Sequence, residues 1–95
     1  MHVQIVRFKL RSGARREAFL ELTEKMTAWL KNRNGFLAYE LYEDSEWWSD
    51  RIARESRECA QEGLDEFLAT KIAEEMISLV ESDYTSFFGE MVVSV

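Results

Sequence analysis

The segment from Trp47 to Glu55 carries the residues best suited to binding chemistry. Side chains of a strand alternate between two faces, so Trp48, Asp50 and Arg54 share one face. A guanidinium binds carboxylates and carbonyls through paired hydrogen bonds, which makes Arg54 a candidate for binding an acidic or carbonyl-bearing ligand. Asp50 lies four residues earlier, about 13 Å along an extended strand, too far for a direct ion pair. The alternative interpretation is that Arg54 pairs with an acidic residue at the rim of the sheet: Glu40, Glu55 or a residue of a second copy.

Aromatic residues supply a second set of candidates. Tyrosine and tryptophan could line a pocket in which a flat substrate stacks against rings and accepts a phenolic hydrogen bond. The alternative is that these aromatic residues pack in the sheet of a dimer. The candidates for a ligand pocket are Tyr39, Tyr42, Trp48, Asp50, Arg54 and Tyr84, and no residue is assigned as catalytic.

The sequence contains few residues that could support cysteine, histidine or metal-ion chemistry. The only cysteine, Cys59, and the only histidine, His2, cannot build the usual zinc cage or an intrachain disulfide. Cys59 falls in the first turn of a predicted helix, where a small buried cysteine is the common finding. His2 is interpreted as structural or solvent-exposed. The sequence therefore predicts no metal and no cofactor.

The charge balance excludes further classes. The chain has 95 residues, 12 Lys and Arg against 18 Asp and Glu, and a net charge of −6. An acidic domain is a poor match for phosphate backbones or an anionic membrane surface, so neither nucleic acid nor membrane binding is expected. No transmembrane or signal segment is predicted, and the protein is expected in the cytoplasm. The length corresponds to one domain, residues 1–95.

Hydrophobic periodicity divides the chain into alternating strands and helices. Ser56 is a plausible N-cap of the second helix, and the helical pattern changes phase after Ala69 and Thr70, which predicts a bend or a break there. The order is β-α-β-β-α-β, the split arrangement of ferredoxin-like α+β folds, with a four-stranded antiparallel sheet and helices on one face. The predicted elements are strands at 2–10, 36–43, 47–55 and 84–95, and helices at 14–32 and from Ser56 to about Ser82.

Aromatic residues on both sides of this sheet predict a second subunit. Neighbouring strand residues point to opposite faces, so Trp47 and Trp48, like Phe87 and Phe88, cannot both lie under the helices. The other face is therefore also apolar, and a large exposed apolar patch is rare in monomers. We expect a homodimer that buries this sheet face.

Four segments form a recognisable pattern: Asn34 to Tyr42, Trp48 with Asp50, Arg54 to Ala60, and Phe67 to Ala69. They include a glycine that opens the second strand and a Glu-Ser pair that ends the third strand and caps a helix. With them the chain resembles, over nearly its whole length, the antibiotic-biosynthesis-monooxygenase-like family of dimeric α+β barrels. The resemblance implies a homodimer with a pocket in each subunit, either between sheet and helices or at the inner face of the sheet.

Haem degradation, which is one activity of that superfamily, is disfavoured because this sequence departs from the haem-degrading members at their characteristic positions. The haem-degrading members rely on an Asn in the first strand, a Trp at the end of the third strand and a His on the second helix. The aligned positions here are Val6 and Arg54, and no histidine lies between residues 56 and 82. Axial ligation of haem therefore has no obvious provider.

The function expected from the sequence is that of a small-molecule-pocket protein. The resemblance implies a cofactor-independent monooxygenase acting on an aromatic or polyketide-type metabolite. The aromatic candidates favour a small aromatic ligand, and the charge of Arg54 favours an acidic one. The alternative is a non-catalytic dimer, either a binding module for a small ligand or a structural module whose barrel its own side chains fill.

Overall fold

Seven elements follow one another in a computed structural model that describes all residues, 1–95. The predicted order of strands and helices is confirmed, with the second helix divided into two. The elements are β1 (His2–Lys9), α1 (Arg16–Leu30), β2 (Phe36–Asp44), β3 (Trp47–Arg54), α2 (Arg57–Leu68), α3 (Lys71–Leu79) and β4 (Thr85–Glu90).

The four strands form one antiparallel sheet in the order β2-β3-β1-β4. This order confirms the ferredoxin-like α+β fold. The central strands β1 and β3 pair over their whole lengths, so that Phe8 lies opposite Trp48, Val6 opposite Asp50, and His2 opposite Arg54. The register fixes which side chains share a face.

The even-numbered residues of β1 and β3 point towards the helices. Phe8 and Trp48 are buried there, and their neighbour Trp47 lies on the other face, where the guanidinium of Arg7 stacks 3.8 Å from the centre of a Trp47 ring. Phe87, at 60% exposed, lies on that same outer face because it pairs with Ile5. The predicted division of adjacent aromatic residues between two faces is confirmed.

Hydroxyl side chains cap the N-termini of both α2 and α3. The Ser56 hydroxyl accepts a hydrogen bond from the Cys59 amide at 3.1 Å, which confirms it as the N-cap of α2. At the start of α3 the Thr70 hydroxyl accepts from the Ala73 amide at 3.1 Å and donates to the Phe67 carbonyl at 2.6 Å. The predicted phase change at Ala69 and Thr70 is therefore a change from one helix to another.

The core lies at one end of the helix-covered face. Phe8, Phe19 and Trp48 pack as an aromatic cluster, with ring centres of Phe19 and Trp48 5.0 Å apart in an edge-to-face arrangement. Phe19 comes from α1 and is fully buried. The cluster anchors α1 to the two central strands.

The last strand is shorter than predicted. The sequence pattern predicts a strand over residues 84–95, but β4 ends at Glu90. Glu90 pairs with His2, the first residue of β1, so the sheet offers no further partner backbone beyond this point. One more hydrogen bond follows, from the Met91 amide to the Met1 carbonyl at 2.9 Å, and the valines after it are exposed.

None of the three helices has the length and apolar character needed to cross a lipid bilayer. The cytoplasmic location expected from the sequence stays a prediction.

Candidate functional site

A cavity of about 580 Å³ lies between the helix-facing side of the sheet and the three helices. Strands β1, β3 and β4 form its floor, and 14 of its 21 lining residues are hydrophobic, which suits a ligand with an apolar body. Among its polar lining residues, Gln4, Asp50 and Arg54 are buried, and each has at least one side-chain atom without a hydrogen-bond partner. Buried polar groups in proteins are nearly always paired, so three unpaired ones in one cavity mark it as the candidate site.

Arg54 closes one end of the cavity. Its side chain is only 1% exposed, and its Nε and Nη1 atoms are buried without a hydrogen-bond partner. It forms no salt bridge with Glu40 or Glu55; the Glu40 carboxylate instead accepts a hydrogen bond from Arg51 at 2.7 Å on the outer face. Burial lowers the pKa of the Arg54 guanidinium from its ordinary value. The arginine therefore carries a desolvation cost that no acidic residue of this chain offsets.

Gly63 of α2 makes room for this arginine. A Cβ atom at Gly63 would lie 2.7 Å from Nε and 3.0 Å from Cζ of Arg54. The guanidinium therefore lies directly against the helix backbone, and a larger residue at position 63 would require the Arg54 side chain to move.

Asp50 and Tyr39 form a pair at the middle of β3 and β2. The Tyr39 hydroxyl donates to Oδ2 of Asp50 at 3.0 Å, while Oδ1 of Asp50 is buried with no partner. Burial raises the pKa of Asp50 to about 6, against the lowering effect of the Tyr39 hydrogen bond and of the nearby Val6 backbone amide. Burial and the adjacent carboxylate also raise the pKa of Tyr39, which therefore stays a donor. Asp50 is thus a carboxylate near neutral pH, more basic than an ordinary aspartate.

Gln4 is the polar residue that the sequence analysis missed. It is 7% exposed, and its Oε1 atom has no partner. Gln4 lies opposite Ile52, the residue midway between Asp50 and Arg54 on β3. The alternation of His2 and Gln4 with Val3 and Ile5 was a usable signal, but it suggests polar residues facing solvent, whereas the structure turns them under the helices.

The other predicted pocket residues lie in three different places. Tyr84, 52% exposed, lines the cavity at its mouth together with Phe88. Trp48 does not line the cavity, because it is enclosed by the aromatic core. Tyr42 lies on the opposite face of the sheet, 54% exposed, because it pairs with Ser49 and strand alternation turns both away from the helices. The structure therefore brings Asp50, Arg54 and Tyr84 to the cavity, with Tyr39 behind Asp50.

Neither Cys59 nor His2 lines the cavity. The Cys59 sulfur packs where a Cβ on Gly35 would lie, 2.6 Å away, and Gly35 has the left-handed φ of +73° that ends the connection after α1. His2 is 7% exposed, and its Nδ1 is 2.7 Å from the Glu90 carboxylate, which lowers the pKa of Glu90. No three His, Cys, Asp or Glu residues are grouped so that they could hold a metal ion.

Searches for related sequences give no match, either among protein-family models or among curated proteins. Solved structures, in contrast, match over almost the whole chain. A mutant of SnoaB, a cofactor-independent oxygenase from Streptomyces nogalater, has a TM-score of 0.83 at 12% identity, covering 99% of this chain and 95% of that chain. A structure described as an antibiotic biosynthesis monooxygenase has a TM-score of 0.77 at 16% identity, covering 98% of this chain and all of the other.

A third similar structure is Rv0793 from Mycobacterium tuberculosis, with a TM-score of 0.77 at 18% identity, covering 98% of this chain and 96% of that chain. Identities this low establish the fold alone. The resemblance indicated by the sequence motifs is thus confirmed in three dimensions: the chain has the ferredoxin-like α+β fold of the antibiotic biosynthesis monooxygenase structures.

Proposed function

We propose that this protein binds a small aromatic, polyketide-type molecule in the cavity under its helices and oxygenates it with molecular oxygen, without a metal or an organic cofactor. The observation that carries the proposal is the cavity itself, an apolar space of about 580 Å³ whose wall holds three buried polar side chains with unpaired atoms. Natural proteins rarely tolerate such atoms unless a ligand or water satisfies them. The similarity in fold to a cofactor-independent oxygenase supports the choice of reaction.

Asp50 is the base in this proposal. Asp50 lines the cavity and its Oδ1 has no partner in this chain, and a pKa of about 6 leaves the carboxylate ionised at neutral pH while making it a stronger base than ordinary aspartate. The Tyr39 hydroxyl holds the other oxygen, Oδ2, and so orients the carboxylate. Asp50 would take a proton from a methylene group that is acidified by flanking aromatic rings and a carbonyl group.

The remaining steps need only oxygen. The carbanion transfers its electron pair to O₂ in two one-electron steps, a C–O bond forms, and the peroxide takes up the proton held by Asp50. Loss of the second C–H proton with cleavage of the O–O bond then leaves a new carbonyl and releases water. The balance is one methylene plus one O₂ giving one carbonyl plus one H₂O.

Anthrone, which has such a methylene, is the test substrate. We expect the protein, dialysed against a chelator, to consume O₂ and form anthraquinone faster than the buffer control. Asp50→Asn is expected to lower kcat by about a hundredfold or more, because an amide cannot accept the proton. The matched control is Asp44→Asn, an exposed carboxylate at the end of β2.

The pH profile adds a second readout. Because the base works in its ionised form, kcat/KM should rise with pH through the Asp50 pKa of about 6 and then level off. Oxygen consumption no faster than in buffer would contradict the oxygenase, and binding of an aromatic probe without turnover would then favour the non-catalytic ligand-binding module.

The proposal includes a homodimer formed through the outer face of the sheet. That face presents Phe87 and Tyr42, both more than half exposed, beside the half-buried Trp47. Its charged groups have partners of their own: Arg51 pairs with Glu40, and Arg7 stacks on Trp47, which lowers the cost of covering them.

Sedimentation equilibrium tests the dimer. Phe87→Glu should convert a dimer into a monomer at micromolar concentration, because it places a charge in the apolar part of the interface. Ala28→Glu, which adds the same charge to an exposed position of α1, should leave the dimer intact. A monomeric unmodified protein would contradict this part of the proposal.

A further inference from the structure

The unpaired guanidinium of Arg54 points to a specific chemical group on the ligand. We propose that the Arg54 end of the cavity is a carboxylate-binding subsite, so that the ligand is an aromatic carboxylic acid whose rings extend from Arg54 towards Asp50. This inference deepens the proposed function and rests on the same cavity.

The first argument is the missing counter-ion. An arginine remains charged in a protein, and a charge buried at 1% exposure requires an anion or several acceptors. Arg54 forms no salt bridge, and two of its three guanidinium nitrogens, Nε and Nη1, have no acceptor at all. A structural arginine would have its donors satisfied by carbonyl or carboxylate oxygens. No group of this chain accepts from these donors, and a bound ligand is the acceptor that we infer.

The second argument excludes the other acidic groups nearby. Asp50, the carboxylate on the same face of β3, is four residues away, about 13 Å along the strand, and accepts a hydrogen bond from Tyr39. Glu81, the other acidic residue that lines the cavity, forms no salt bridge with Arg54. A second copy docked on the outer face could not reach Arg54, because the sheet itself lies between that face and the cavity. The source of the anion that we infer is a molecule inside the cavity.

The third argument is geometric. The glycine at position 63 lets the guanidinium lie against α2, and this contact on one side restricts how the group can turn. A planar guanidinium held in one orientation is suited to the two parallel hydrogen bonds that a carboxylate accepts. Ile52 occupies the floor between Arg54 and Asp50, and the surrounding wall is mainly hydrophobic, which suits fused aromatic rings in the middle of the ligand.

A pair of fluorescent probes tests the subsite without involving oxygenation. Anthracene-2-carboxylate and anthracene-2-carboxamide have the same rings and no acidic methylene, so neither is a substrate for the proposed reaction. Fluorescence anisotropy at about pH 8, where the acid is ionised, should give a dissociation constant about tenfold or more lower for the carboxylate than for the amide, because charge-assisted paired hydrogen bonds are the stronger kind.

Two arginines of β3 make a matched pair of variants. Arg54→Met should reduce the preference for the carboxylate to less than about twofold while the amide still binds. Arg51→Met removes an arginine from the same strand, but from the outer face where it pairs with Glu40, and should leave the preference unchanged. Arg54→Lys keeps the charge and loses the planar fork, so it should retain only part of the preference; it also decides the question if Arg54→Met fails to fold.

Equal affinities of the unmodified protein for the two probes would overturn the subsite, as would a preference that survives Arg54→Met. These outcomes are separable from failure of the proposed reaction. Carboxylate preference without anthrone turnover would support the subsite and contradict the oxygenase, whereas anthrone turnover without carboxylate preference would do the reverse. Failure of both probes to bind would contradict the subsite and the ligand-binding cavity together.

Discussion

The helix-covered face of the sheet has two ends that are built from the same strands and differ in how their side chains are satisfied. At one end Phe8 and Trp48, paired across β1 and β3, pack with Phe19 into an aromatic core. A few residues along the same strands, Asp50 and Arg54 are equally buried but leave polar atoms without partners. Burial alone therefore does not distinguish a core from a site.

The difference separates a region that stabilises the fold from a region that is suited to binding a ligand. The aromatic end contributes stability, since buried rings remove much apolar surface from water. The polar end lowers stability, since its buried donors and acceptors lose their hydrogen bonds to water on folding and form none within the protein. A ligand that supplies the missing partners would recover that cost on binding. Substitutions at the two ends should consequently shift stability in opposite directions.

The largest effect is expected at the aromatic end. Trp48→Ala should lower the free energy of unfolding by about 3–5 kcal/mol, because it leaves a hole beside Phe8 and Phe19. Urea denaturation measures the change, with Trp48→Phe as a milder companion that refills part of the space. Trp48 itself does not line the cavity, whereas its packing partners Phe8 and Phe19 do, so in the variant that folds both anthracene probes should be affected alike and the ratio of their affinities should be unchanged. A changed ratio would mean that the two ends are not separate.

The next effect concerns Asp50 and depends on pH. Folding raises the pKa of this group from 3.8 to about 6, so the folded state binds its proton more tightly and the free energy of unfolding falls as the pH rises through 6. Asn mimics the protonated form, so Asp50→Asn should stabilise the protein by up to about 3 kcal/mol at neutral pH and above, and by little below about pH 4. Denaturation at both pH values checks this. A variant that is less stable at neutral pH would show that the ionised carboxylate contributes to the fold.

The smallest of the three effects is expected at Arg54. Replacing the buried guanidinium by methionine, which has a similar reach and no polar donors, should raise the free energy of unfolding by about 1–3 kcal/mol in the absence of ligand. Thermal or urea denaturation of Arg54→Met gives the sign, and Arg51→Met on the exposed face should change stability by less than about 1 kcal/mol. Destabilisation by Arg54→Met would mean that the arginine supports the fold and would remove the contrast between the two ends.

Much of the fold could be predicted from periodicity. The change of helical phase after Ala69 and Thr70 located the break between α2 and α3, and the adjacent pair Trp47 and Trp48 required two apolar faces. The length of β4 could not be predicted in this way, because its end depends on where the partner strand β1 begins at His2, which is information from a distant part of the chain.

The site was harder to predict than the fold. Period-two spacing placed Asp50 and Arg54 together, and both line the cavity, but the same rule could not say which face of β2 meets it. An irregularity between Phe36 and Ala38 sets the phase of that strand, so that Tyr39 lies beside Asp50 and Tyr42 lies on the far side. Gln4 was missed because a polar residue between β-branched ones is normally taken to face solvent.

The position of the cavity behind the sheet has a consequence for saturation behaviour. Strands β1, β3 and β4 form its floor and separate it from the outer face of the sheet, where the proposed second copy would dock. Occupancy of one cavity therefore has no direct contact through which to alter another. Titration with either probe should give one ligand per chain and a hyperbolic curve, with a Hill coefficient of about one whatever the assembly.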